Sequence, residues 1–541
     1  MQTTQAHPTR KSLFIVAIIL ILVTVLHTQN LFQYPYYQDA EGTSIANSWA
    51  LVTQGRLSPY TYAYEEPPVG TFILSSWLSL TGGTMTFGFP INSGRILMLI
   101  LSLISTAFIY GIAYKSLHSD LAGAIATLLF ALSPLATMLQ RAVLLDNMML
   151  VFLLAALYLI LGERRTLAHY VTSAVLVGLA VLTKGEAIFF VPAFLFIVRL
   201  QANVHHKRFA SVLWIVLFLL LVAFYPLYAQ MKQELIPQGW LFGSNLPHVS
   251  LLGRLADRGP DTGRFLNIAS GVATSFRQWV DLSYSSADPI LIYGGLIAAL
   301  FVLLLSLDKR ELRPIVAMLV SAALFLLFGG QIVVSAAIVL LPFLAICVGI
   351  VLATIANWIG SASKEPLFRF GLAGIAILIL LYPFGIFYSS RVDAYTLNQV
   401  NGQLTAVDWL KANVSKKAVV VTDNYAFDDL RTNLPNTQYY WKVDTDPAVK
   451  YNMLDDDPCN IDYVLYTPQV SSDIQTYHLD LMRRTLDASK VLITYSNNGW
   501  PVEIRQVSKL NCKTTAVDKS PATAPISDTA IAIASAGQST K

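Results

Sequence analysis

Apolar runs almost free of charge recur along the chain from residue 12 to residue 388, each bounded by polar or basic residues. A hydrocarbon core about 30 Å thick takes roughly 20 mostly apolar residues per helix. About eleven spanning helices are therefore predicted, near 12–28, 95–114, 121–138, 146–161, 168–183, 187–200, 210–228, 289–306, 314–329, 332–357 and 368–388. The first run lacks a small-residue cleavage site and reads as an uncleaved anchor. After residue 388 the pattern changes. Short β-rich runs at 418–421, 463–466 and 491–495 alternate with helical patterns at 404–412 and 474–488, which predicts a small α/β domain over 390–512 that folds by itself. Residues 513–541 hold mainly Ala, Ser and Thr with few large apolar groups, too little burial to offset chain entropy, so a disordered tail is expected. The predicted class is an α-helical polytopic membrane protein over 1–389 with a C-terminal α/β domain.

Composition supports the pattern. Of 541 residues, 55% are hydrophobic and only 13% charged, against about 25% charged in soluble domains, and mean hydropathy is +0.54. The net charge of +4 is too balanced for a nucleic-acid binder. The three cysteines, Cys347, Cys459 and Cys512, form neither a CxxC zinc pattern nor a dense disulfide framework. Cys459 and Cys512 are free to pair in an oxidising exterior. No internal repeat of fixed period is present.

Lys and Arg in short loops are retained on the cytoplasmic side. With Arg10 and Lys11 inside, the clusters at Lys115, Arg164-Arg165, Arg199 to Arg208, Lys309-Arg310 with Arg313, and Lys364 with Arg369 all fall on that side. The loops 29–94 and 229–288 and everything after 388 are then extracytoplasmic, giving a multi-pass cell-membrane protein with its N-terminus inside and its C-terminus outside.

Ionisable residues near membrane depth are costly and mark sites by default. The first outer loop holds Asp39 and Glu41 ahead of an amphipathic stretch, 45–52, expected on the membrane surface. It continues with Tyr64-Glu65-Glu66-Pro67-Pro68 before a second surface helix over 69–80. Arg141 and Asp146 flank the turn after the third span, and Lys184-Gly185-Glu186 follows the fifth. Four elements thus bring Asp39, Glu41, Glu65, Glu66, Asp146 and Glu186 to one face, opposed by Arg95, Arg141 and Lys184. Each has a plainer reading: either acid as a helix N-cap, Lys184 and Arg95 as snorkelling cations, Arg141 as a structural one. Asp444-Thr445-Asp446 has the form of a nucleotide-sugar motif and Asp455-Asp456-Asp457 looks metal-friendly. Both are set aside, because they fall outside the cell, where nucleotide sugars are scarce.

Tyr-x-Asp-x-Glu after the first span, Glu-Glu-Pro-Pro later in that loop, Leu-Leu-Asp-Asn after the third span and Leu-Thr-Lys-Gly after the fifth resemble the GT-C membrane glycosyltransferases. Within that superfamily the chain is most similar to the protein O-mannosyltransferases and the aminoarabinose transferases of lipid A, over residues 10–390. The resemblance implies inverting transfer of a sugar from a polyprenyl-phosphate donor to a protein, lipid or glycan acceptor outside the cytoplasm, with the bilayer and no nucleic acid as partner. It implies Asp39 as catalytic base, with Asp146 and Glu41 assisting, and Lys184, Arg95 and Arg141 at the donor phosphate. Tyr64, Glu65, Glu66 and Glu186 are then substrate-facing, and a divalent cation, Mg or Mn, is compatible with the acids. Glu66 stands where relatives commonly carry Lys or His, and 333–344 lacks their Arg-Tyr before Leu-Pro. A transporter or lipid-linked sugar flippase is the rival reading; inverted repeats would mark it. A membrane-anchored binding protein would leave the paired acids unexplained.

Overall fold

The computed structural model describes residues 10–162, 166–203, 205–240, 248–257, 288–328, 334–361, 365–497 and 500–509. Every predicted apolar run is helical where it is described. Helices α1 (Arg10–Thr28), α2 (Asp39–Gln54), α3 (Val69–Thr81), α4 (Pro90–Leu117), α5 (Asp120–Leu132), α6 (Pro134–Arg141), α7 (Leu145–Ile160) and α8 (Leu167–Thr183) make the N-terminal half. Pro289–Asp308, Arg313–Phe328, Leu341–Gly360 and Pro366–Ser390 follow the later runs. Among the described residues, six helices are long and apolar enough to cross a membrane, or seven if one bent pair counts as a span.

The bent pair corrects the expected straight span 121–138. α5 and α6 meet at 66°, because the Ser133 hydroxyl accepts the Ala136 amide to start a new helix and Pro134 has no N–H to continue the old one. Two further spans are short: α7 has 16 residues and α8 has 17, about 24–26 Å of helix. Both lie in the densest part of the bundle, where Leu150, Leu153, Leu154, Leu157, Ala174 and Val177 share the main apolar core. The run 187–200 is a 3-10 turn, Gly185–Phe190, leading into a helix over Val191–Gln201.

After Pro366–Ser390 the chain forms a five-stranded sheet of order β2-β1-β3-β5-β4. Its strands are β1 (Val420–Thr422), β2 (Thr437–Tyr439), β3 (Tyr463–Tyr466), β4 (Ser489–Asn497) and β5 (Trp500–Val507). β1 runs parallel to β2 and β3, whereas β5 is antiparallel to β3 and β4. The three parallel strands lead at their carboxyl ends into the helices Asn424–Asn433, Tyr440–Thr445 and Pro468–Thr476. In open α/β sheets that edge is where ligands bind.

One apolar cluster runs from Tyr37, Ile45, Leu97 and Val143 of the helical part into Val400, Leu410, Tyr425 and Ile504 of the C-terminal domain, so the two parts pack against each other through buried side chains. The loop before α2 is also tied down. Gln403 accepts the Tyr37 amide and donates to the Tyr37 carbonyl, and Tyr36 stacks on Trp500 at 4.0 Å. Nor is α2 left on a membrane surface alone. A Cβ on Gly42 would come within 2.2 Å of the Asn424 carbonyl oxygen, so only glycine permits this approach, and Arg431 sits over the Trp49 ring. Cys459 is disulfide-bonded and Cys347 is free and buried. Cys512 and the expected tail 513–541 lie outside the described residues.

Candidate active site

The first turn of α2 carries the candidate chemistry, and its two carboxylates have opposite surroundings. Glu41 closes a capping box with Gln38. Its oxygens accept from Arg95 Nε at 3.0 Å, Arg95 Nη2 at 2.9 Å, the Val143 amide at 3.0 Å and the Gln38 amide at 3.1 Å. Arg95 also donates to the carbonyls of Leu31 and Pro35, and both side chains are wholly buried. Glu41 is thus held by four donors, and Arg95 has four of its five N–H groups engaged. Arg141 is engaged through its Nη atoms, while its Nε is buried without a partner. It donates to the carbonyls of Leu26, Gln29 and Ala394, fastening α6 to the end of α1 and to the segment after the last apolar helix.

Asp39, two residues before Glu41, is 8% exposed, yet neither carboxylate oxygen has a well-formed hydrogen bond, and the backbone amide of Asn424 is the donor that acts on it. Burial, followed by the like charges of Asp423, Asp473 and Glu65, pushes its pKa well above the usual carboxylate range, offset only in part by the Asn424 amide. Asn424 Nδ2 donates to Thr43 Oγ1 at 2.8 Å, and Thr43 Oγ1 donates to the Asp39 carbonyl at 3.1 Å. The outer domain thus holds the helix turn that presents the acid.

A second centre lies at the start of α7 and the end of α8. Lys184 Nζ donates to Asp146 Oδ2 at 2.7 Å, while Asp146 Oδ1 is buried without a partner. Glu66 and Glu186 are the next carboxylates acting on Lys184. α3 comes close enough to join the two centres. A Cβ on Gly70 would lie 2.5 Å from Leu145 Cδ2 and 3.2 Å from Thr183 Cγ2. Adjacent acids in the loop ahead of α3 serve different centres. Glu65 acts on Asp39 and lies 3.8 Å from Lys442 Nζ; Glu66 acts on Lys184. Tyr64 is positive in φ, at 54°, and its hydroxyl donates to Glu234 at 2.5 Å. Of the expected site residues, the fold groups Asp39 with Glu65, and Asp146 with Lys184, Glu66 and Glu186. It pairs Glu41 with Arg95 and holds Arg141 on backbone carbonyls.

Among the described residues no group of three or more His, Cys, Asp or Glu side chains is arranged to hold a metal ion. The two acidic triplets are occupied structurally. Asp444 accepts the Leu481 and Met482 amides and Asp446 those of Thr61 and Ala448. Asp456 pairs with Arg484, and Asp457 accepts the Cys459 amide.

Residues 65–229 match the family described as dolichyl-phosphate-mannose-protein mannosyltransferase. No curated protein sequence matches the chain. Among solved structures, ArnT from Cupriavidus metallidurans bound to undecaprenyl phosphate is 13% identical, with TM-score 0.51, covering 91% of this chain and 97% of that one. Its apo state reaches TM-score 0.55 at 14% identity, with the same coverage. AglB, the oligosaccharyltransferase from Archaeoglobus fulgidus, in complex with an inhibitory peptide and a dolichol-phosphate, gives TM-score 0.55 at 12% identity over 96% of this chain and 75% of that one. The chain has the polytopic membrane fold of these two proteins.

Sequence reasoning missed the groups that the C-terminal domain sets against Asp39: Asp423, Asn424, Tyr440 and Asp473. One signal was available. Asp423-Asn424 stands directly after a β-rich run, at the strand end where α/β sheets place polar ligand-facing groups. Nothing local marks Asp473, which lies in a helix 50 residues farther along.

Proposed function

We propose that the protein transfers a sugar from a polyprenyl-phosphate carrier to an acceptor hydroxyl on the extracytoplasmic face, by inverting single displacement with Asp39 as base. The carrying observation is the buried Asp39 carboxylate, acted on by one backbone amide, that of Asn424, and with no well-formed hydrogen bond to either oxygen, in a fold where Glu41, two residues away, accepts four. A structural acid would be satisfied as Glu41 is; an acid awaiting a proton is not. Burial among like charges raises its pKa, which makes the ionised carboxylate a stronger proton acceptor. The mannosyltransferase family match and the polyprenyl phosphates held by ArnT and AglB support a lipid-phosphate donor.

In the proposed step the acceptor O–H bond breaks and its proton moves to Asp39. The acceptor oxygen forms the new bond to the sugar's anomeric carbon as the bond to the lipid phosphate breaks, and the phosphate oxygen keeps that electron pair. Lys184, ordered by Asp146, is the cation assigned to the charge that develops on the phosphate. Glu65, Glu66 and Glu186 line the substrate side. The orientation follows from the one-sided Lys and Arg clusters, and the disulfide at Cys459 suits an oxidising exterior.

The test is transfer from a panel of radiolabelled polyprenyl-phosphate sugars in membranes carrying the wild type or Asp39→Asn. Label entering acceptor with the wild type alone is expected; equal transfer by both removes Asp39 from the chemistry. Protease added outside should reach residues 390–509. Cleavage there only from the cytoplasmic side would overturn the orientation.

A further inference from the structure

The helix that follows β1 packs its start against the first turn of α2: Gly42 touches the Asn424 backbone and Thr43 is bonded to the Asn424 side chain. The Asn424 backbone amide acts on the carboxylates of both Asp39 and Asp423, the residue just before Asn424. Asp423 is 2% exposed. One of its oxygens accepts from Thr467 Oγ1 at 2.7 Å and the other, Oδ1, is buried without a partner. Asp473 stands behind it, accepting the Tyr440 hydroxyl at 2.7 Å and Gln469 Nε2 at 2.6 Å. The charged and titratable groups around Asp39 are Asp423, Asp473 and Glu65, with Tyr439 and Tyr440 alongside, and no cation is bonded to its carboxylate among the described residues. Two buried carboxylates in one water-poor site cannot both ionise cheaply; a shared proton is the usual resolution.

We propose that Asp423, backed by Asp473, is a positioning residue for Asp39: the two domains share one catalytic centre in which the outer-domain carboxylate and the α2 carboxylate hold a single proton between them. This deepens the assignment of Asp39 as base and rests on it. In the resting enzyme the shared proton cancels one of two repelling charges. When an acceptor hydroxyl arrives, the proton resides on Asp423, Asp39 is ionised, and Asp39 takes the acceptor's proton. The charge pattern behind the base thus sets the pH at which it becomes competent. Consistent with that arrangement, burial raises Asp423 to about 7, against the opposing pull of the Thr467 hydroxyl.

The experiment uses the full chain in detergent. Infrared difference spectra of wild type minus Asp39→Asn, and wild type minus Asp423→Asn, are recorded across pH 4 to 9, following the carbonyl band of protonated carboxyl groups. The wild type should retain that band near neutral pH. In Asp423→Asn the remaining Asp39 band should disappear at a pH lower by about one unit. The Asp473→Asn variant, which keeps an acceptor for Tyr440, should shift it in the same direction by less, and it decides the matter alone if Asp423→Asn fails to fold. The acid limb of transfer from polyprenyl-phosphate mannose should move with the band, whereas a merely structural defect would lower the rate at every pH alike. A band whose titration is unmoved in the folded variants overturns the shared centre. The spectra need no turnover, so they fail or succeed separately from the base assignment, which fails if Asp39→Asn transfers sugar as the wild type does.

Discussion

Asp39 and Glu41 stand two residues apart on one helical turn, equally acidic and nearly equally buried, and the fold treats them in opposite ways. Glu41 faces the apolar bundle and meets a guanidinium and two amides. Asp39 faces the outer domain and meets carboxylates. A buried charge is tolerable when paired and hydrogen-bonded and costly otherwise. The first centre accordingly contributes rigidity, and the second keeps an acid in an unsatisfied state that only a substrate proton relieves. The turn is stiff on one face so that the other can be strained.

The largest effect expected from breaking this contrast is on turnover. Asp39→Asn should lower transfer by about 10²–10⁴-fold, the usual weight of a positioned base, with the folded yield unchanged. Glu41→Gln should show the reverse: thermal unfolding in detergent should reveal a loss of about 3–5 kcal/mol, because Arg95 is left as an uncompensated buried charge. Loss of activity from Glu41→Gln in protein of wild-type stability would refute the scaffold role. Lys184→Ala should weaken donor use by about 10–100-fold, the weight of a hydrogen bond to a charged group, read as KM for the lipid-linked sugar.

A pH scan sharpens the same comparison. Burial holds the Asp423 carboxyl above its unfolded value of about 3.9 in the folded state, so from that value upward toward neutral pH the folded state binds more protons than the unfolded one. Stability should therefore fall as pH rises from about 4 to about 7, and Asp423→Asn should flatten that slope in thermal midpoints. The smallest effect belongs to the clamp at the far end of α2. Trp49→Ala removes the cation–π contact with Arg431 and should cost about 0.5–2 kcal/mol, seen as faster protease nicking between the domains.

Much of the architecture was legible from local pattern. The apolar runs mark their helices because a helix carries its backbone hydrogen bonds within itself, so a long apolar stretch suffices. The motifs around Asp39, Glu65, Asp146 and Lys184 named residues that the fold groups as Asp39 with Glu65 and Asp146 with Lys184. The roles of the cations were not legible. Arg95 and Lys184 look alike in sequence, each a lone base at the edge of an apolar run. Arg95 is consumed by Glu41, 54 positions away, while Lys184 has Asp146, 38 positions away, and two further acids around it. The break at Ser133-Pro134 was visible as a dipeptide, but its 66° angle was not.

What the chain's own order of residues determined, then, is that it enters the membrane, where its helices begin and end, that a small α/β unit follows, and which short motifs carry acids to one side. Those are properties of segments, set by hydropathy and backbone hydrogen bonding over tens of residues. Tertiary structure alone decided which acid is neutralised and which is left waiting, because that depends on partners brought from distant segments. Arg95 is 54 positions from Glu41, and the Asn424 that anchors the Asp39 turn through Thr43 is 381 positions from it. Electrostatic energies act through space over a few ångströms, and only the folded chain specifies which charges are that close.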